Sequence, residues 1–162
     1  MPEPWLRGRV EGVIPGLQPV AHSLLYAREQ LEKILPTLSA EQIWTRPGNV
    51  APIGYHVRHS MGSIDRALTY LRGEGLSDAQ FEQLKAEQTD RPDLDSAALL
   101  ELAHDAIYRA LSVVKATAEQ QLNEPRQVGR KKLPSDVRGL LFEIAVHTAR
   151  HVGQIVTTAR LV

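Results

Sequence analysis

Apolar residues recur at helical spacing in four long stretches of this chain, and strand-like alternation of apolar and polar residues is missing throughout. A chain patterned this way packs helix on helix. The first stretch runs from Leu17 through Val20, Ala21, Leu24, Leu31, Ile34 and Leu35, and Pro36 ends it. The second opens near Pro52, a residue suited to a first helical turn, and reaches Leu71, where Gly73 and Gly75 stop it. Asp95 or Ser96 starts the third, which passes through Leu99, Leu100, Leu102, Ala106, Ile107, Ala110, Leu111, Val114 and Ala118. Ser135 or Asp136 caps the fourth, which continues to about Thr158.

The segments between are shorter. Residues 1–15 read as an irregular lead-in, with Pro2, Pro4, Gly8, Gly12 and Pro15. Ser39-Ala-Glu-Gln42 resembles a capping box opening a short turn, and Ser77-Asp-Ala-Gln80 starts a short extra helical segment that reaches about Gln88. Residues 123–135, with Pro125, Gly129, Pro134 and the basic run Arg130-Lys-Lys132, read as a loop. With no repeat or composition break, residues 1–162 are expected to form a single domain: an all-α four-helix bundle with a short helical segment between helices 2 and 3.

Composition narrows the functional classes. The 19 basic and 19 acidic residues balance, so no global field favours nucleic acid or anionic membranes. Apolar runs are far shorter than the ~20 residues that span a bilayer. The first residues, Met1-Pro-Glu-Pro-Trp-Leu-Arg, lack an apolar signal core, so a cytoplasmic location is expected. Cysteine is absent, which excludes disulfides, thiolate metal ligands and a cysteine nucleophile; any thiol chemistry must use a thiol from outside.

The chemistry concentrates on histidine. His147 and His151 lie four residues apart on the last helix, so their imidazoles leave one face about one turn apart. They sit at the edge of an apolar arc through Leu140, Leu141, Ile144, Ala145, Thr148, Val152 and Ile155, while Glu143, Arg150 and Gln154 point to solvent. A third ligand would come from Tyr55-His-Val-Arg-His59 on the second helix. The apolar centre of that helix runs through Ile53, Val57, Ile64, Leu68 and Leu71, and His56 projects closer to it than His59, so wheel geometry favours His56. Three neutral imidazoles suit zinc, nickel, iron or copper and leave a coordination position open. His22 and His104 read as ordinary surface or boundary residues. Trp5, Trp44, Tyr55 and Tyr70 read as core anchors, and the basic run as a solvated loop.

Two of these segments resemble the DinB-like (DinB/YfiT) superfamily of bacterial four-helix proteins. Pro52-Ile-Gly-Tyr-His-Val-Arg-His59, followed by Ser63, is similar to the second-helix motif of that family. His147-x-x-x-His151-x-Gly153-Gln154-Ile155 is similar to its closing motif. The resemblance implies an up-up-down-down helix order, a homodimer, and a divalent metal (nickel, zinc, iron or manganese) held by His59, His147 and His151. It leaves His56 as a proton carrier, a supporting group or a neighbour.

Characterised relatives use the metal to activate a low-molecular-weight thiol, as mycothiol-dependent maleylpyruvate isomerase and bacillithiol transferases do. The expected function is therefore a metal-dependent thiol S-transferase acting on a small molecule, with His56 as the catalytic proton carrier. A metal-dependent hydrolase, with His56, Glu143 or Asp65 as base, is the second reading. A non-catalytic stress-related metal-binding protein is the third.

Overall fold

The computed structural model describes residues 1–162 and contains six helices and one hairpin. The four long helices are α1 (Gln18–Ile34), α3 (Ile53–Leu71), α5 (Ser96–Ala116) and α6 (Val137–Thr158); two short ones are α2 (Ala40–Trp44) and α4 (Asp78–Ala86). Short polar side chains start most of them. Ser39 with Gln42, and Ser77 with Gln80, form complete capping boxes at α2 and α4. Asp95 accepts from the Ala98 amide at α5, and Asp136 from the Gly139 amide at α6. Pro52 is the residue just before α3 and offers no side-chain cap. The lead-in holds two 3-10 turns, Pro4–Leu6 and Pro15–Leu17.

The long helices form a four-helix bundle in which α1 packs on α6 and α5, and α3 packs on the same two. Thirty buried apolar residues make one continuous core, with Leu24, Leu31, Ile53, Val57, Leu99, Ile107, Leu141 and Ile155 fully shielded. No helix is long and apolar enough to cross a membrane.

The directions of the helices differ from the up-up-down-down order that the resemblance implies. His104 in the first half of α5 meets Glu32 near the end of α1, while Gly16 just before α1 lies against Leu122 and Glu119 just after α5, so these two are antiparallel. His56 near the start of α3 meets His151 near the end of α6, so these two are antiparallel as well. α3 and α5 run the same way: Trp44 lies on Gly54 and donates to the Leu94 carbonyl at their starts, Asp65 pairs with Arg109, and Leu71 and Ala116 line one cleft at their ends. The order is up-down-down-up. The physical cause is the connection 72–95, which carries α4 back along α3 before α5 begins, so α5 starts at the same end as α3.

Residues 123–135 hold more order than a loop. Strand β1 (Pro125–Val128) pairs antiparallel with β2 (Leu133–Asp136), joined through Gly129 at φ 71° and Lys132 at φ 52°. No residue of this two-stranded ribbon is fully buried, and of its apolar side chains Val128 packs against the core while Leu133 is exposed, so no apolar alternation marks it in the sequence. With no third strand beside either edge, Pro125 and Pro134 sacrifice little by lacking an N–H.

Candidate metal centre

α3 and α6 bring four imidazoles together at one end of their contact. The ligand atoms of His59, His147 and His151 all lie within 4.8 Å of one another, close enough to hold one metal ion. Their ring centroids are 4.6 Å apart for His147 and His151, 4.9 Å for His59 and His151, and 5.1 Å for His59 and His147. The i, i+4 spacing on α6 sets the first pair. The antiparallel packing of α3 delivers the third ring.

Wheel geometry and the resemblance each capture part of this arrangement. His56 is the more buried of the α3 pair, as the apolar arc of the helix requires, but it is not one of the three clustered rings. Its Nδ1 is 3.0 Å from Nδ1 of His151. His59 is half-buried and belongs to the cluster. Tyr55 stacks on His59 with an interplanar angle of 6°, which limits rotation of that ring.

The hydrogen bonds decide which nitrogens face the cluster. Nδ1 of His59 is 2.8 Å from Oε2 of Glu87; a carboxylate only accepts, so this Nδ1 carries a proton, and in the neutral ring the lone pair is on Nε2. The same carboxylate is gripped by Arg66 at 2.6 Å. Nε2 of His147 and Nε2 of His151 are buried without any hydrogen-bond partner. Buried polar atoms are rarely left unpaired, because each costs roughly 1–3 kcal/mol. Two such atoms facing a third imidazole match what a cation would satisfy, so this donor set fits a divalent metal. Nδ1 of His147 lies 3.5 Å from Arg150 and 3.8 Å from Glu143, too far for either to fix its tautomer.

Burial holds His56, His147 and His151 below the ordinary histidine value. His151 falls to about 3, with the other three histidines of the site adding to the effect of burial. These rings are therefore neutral near pH 7, the form that donates a lone pair. In the unfolded chain they protonate near pH ~6.5. As pH falls below that value the unfolded chain takes up protons that the folded chain refuses, so the metal-free fold is fully stable above this range and weakens on acidification. One such group contributes at most ~1.4 kcal/mol per pH unit, less where water screens it. Urea midpoints of metal-free protein are expected to drop between pH 7.5 and 5, and less steeply in a His147→Ala, His151→Ala double variant; equal slopes would contradict the assignment.

Glu87 and Arg66 were not legible from periodicity. One signal was present: Gly62 sits inside α3, where glycine costs about 1 kcal/mol against alanine. A Cβ at Gly62 would collide with Oε1 of Glu87, so the glycine marks the place where a second chain segment presses onto the helix. Asp65 is committed to Gln80 and Arg109 and is not among the groups around the histidines. His22 bonds the Gly8 carbonyl and His104 bonds Glu32, both at the surface. Trp5 is 61% exposed and so is not a core anchor. Arg130 lies over the Phe81 ring.

Known proteins place this fold and site in context. The profile of the DinB superfamily matches residues 23–155. A conserved protein from Enterococcus faecalis has a similar structure, with a TM-score of 0.71 at 18% identity over 90% of this chain and 96% of that one. YfiT from Bacillus subtilis, described as a probable metal-dependent hydrolase with an unusual four-helix bundle topology, aligns with a TM-score of 0.60 at 17% identity, over 94% of this chain and 92% of that one. Comparison with the curated proteins finds no match. Helices, histidine motifs and the match over residues 23–155 agree: the chain belongs to the DinB superfamily.

Proposed function

We propose that the protein binds a divalent cation through Nε2 of His59, His147 and His151, and is a transferase that activates a low-molecular-weight thiol toward a small electrophile. The observation that carries the metal half is the pair of buried, unpartnered Nε2 atoms beside a third imidazole. When bound, a divalent cation supplies Lewis acidity, lowering the pKa of a coordinated thiol or water.

The remaining roles fall to the chain itself. With its Nε2 lone pair committed to the cluster, His151 carries its proton on Nδ1 and donates it to Nδ1 of His56. His56 then keeps its proton on Nε2, and its ring borders a surface groove of about 530 Å³ with Arg150, Gln154, Thr157 and Thr158. There it can hand a proton to a departing group and retrieve it from water. Arg150 has no carboxylate partner, so its guanidinium is available to an anionic group on the thiol or the electrophile. A cleft of about 570 Å³ near Leu71 and Ala116 is lined by none of the histidines and is not assigned to this chemistry.

Thiol activation is favoured over hydrolysis by the state of the nearby carboxylates. Glu87 is 2% exposed and committed to His59 and Arg66, and the Glu143 side chain is 63% exposed. Neither is poised as a general base for water, whereas a thiol, with an ordinary pKa near ~8.5, needs only modest acidification. The likeness to YfiT supports the hydrolase as the second reading.

The test is conjugation of bacillithiol, mycothiol or glutathione to monochlorobimane by zinc- or nickel-loaded protein. The sulfur displaces chloride, and the thiol proton leaves with it. Turnover with one of these thiols, falling to background in His147→Ala, is the expected result. Ester or amide cleavage without any thiol would replace this reading with the hydrolase; zinc binding with neither activity would leave a metal-binding protein that is not an enzyme.

A further inference from the structure

The connection that carries α4 is a strap laid on the outside of α3, and its attachment is almost entirely polar. No residue of Asp78–Ala86 is buried. Nε2 of Gln80 donates to Oδ2 of Asp65 and Oγ1 of Thr69, both at 2.8 Å. Arg58 donates to the carbonyls of Ala86 and Thr89, at 2.8 and 2.6 Å. The one deeply buried anchor is Glu87, just beyond the helix end. It is 2% exposed, seated over Gly62 and held between Arg66 and His59.

We propose that Glu87 is a positioning residue of the metal centre, and that metal occupancy and docking of the 78–90 strap are coupled through His59. This rests on the metal-centre reading above. The carboxylate fixes the His59 tautomer that presents Nε2 and, together with the Tyr55 stack, fixes the ring plane. An imidazole that gives its Nε2 lone pair to a cation becomes a stronger Nδ1–H donor, so an occupied site grips Glu87 more tightly. By reciprocity, a docked strap raises metal affinity by the same factor. Gly62 supplies the space, and Arg66 balances the charge of the buried carboxylate.

The experiment is calorimetric titration of zinc into metal-stripped protein, with hydrogen exchange read at the Glu87, Gln88 and Thr89 amides, which donate to Gln83, Lys85 and Ala86. Glu87→Gln is expected to weaken zinc binding ~10- to 100-fold. Glu82→Gln removes a charge from the exposed side of the same strap and should leave affinity within about twofold, as an exposed pair with Lys85 contributes little. Zinc should slow exchange at these amides in the wild type and not in Glu87→Gln. Gln80→Ala, which loosens the strap without touching Glu87, should weaken zinc binding severalfold and covers the case in which Glu87→Gln misfolds. Equal affinity of wild type and Glu87→Gln, equal losses in Glu82→Gln and Glu87→Gln, or zinc-insensitive amides in the wild type would each overturn the coupling. A wild type that binds no zinc would instead overturn the metal-centre reading itself.

Discussion

Zinc is expected to bind the His147→Ala variant ~100- to 1000-fold more weakly than the wild type. Apparent zinc affinities of four-ligand sites correspond to about 10–16 kcal/mol, or roughly 2.5–4 kcal/mol for each ligand lost. Stability should separate from affinity in this variant. In the metal-free protein Nε2 of His147 is buried without a partner, a cost of roughly 1–3 kcal/mol that truncation removes. That relief offsets the packing lost with the ring, so the metal-free variant should melt close to the metal-free parent. Zinc should then raise the melting temperature of the parent and leave the variant almost unmoved, because a ligand stabilises only the state that binds it. Thermal melts with and without zinc, paired with calorimetry, make the measurement; an unchanged affinity in His147→Ala would remove the metal centre.

Arg66→Ala is expected to destabilise the fold by about 3–5 kcal/mol, the usual cost of leaving one partner of a buried ion pair unmatched. The Arg66 side chain is 10% exposed and that of Glu87 2%, with contacts of 2.6 and 3.3 Å between them. After truncation Glu87 keeps His59 as its only strong partner, on the face of a helix where water has limited access. Replacing both Arg66 and Glu87 with leucine should recover part of the loss, because the desolvation of both charges disappears together. Urea denaturation of the metal-free proteins reads both effects. If Arg66→Ala matched the wild type, the pair would be a peripheral contact and Glu87 would lack the anchorage assigned to it.

How far the sequence reached is best seen residue by residue. Ser39 and Ser77 announced two helix starts, and Asp95 or Ser96 and Ser135 or Asp136 marked two more to within one residue, the structure choosing Asp95 and Asp136, because a cap is a contact within one turn and needs nothing from the rest of the chain. The His147–His151 pair was equally visible, since helical spacing is local. The choice between His56 and His59 was not local. The wheel reported burial correctly, yet which ring joins the pair on α6 depends on the register of α3 against α6. The hairpin at 125–136 escaped because none of its strand residues is fully buried and so it leaves no period.

Composition and spacing alone determined that this chain is helical, that it has no thiol of its own, and that two imidazoles share one face near its end. Those properties belong to residues within a turn or two of each other, where backbone geometry settles the outcome. Tertiary structure alone decided the up-down-down-up order, the place of His56 beside His151, and the arrival of Glu87 at His59 by way of a strap. Each of these joins residues 28 to 95 positions apart, and only packing of the finished core brings such positions into contact.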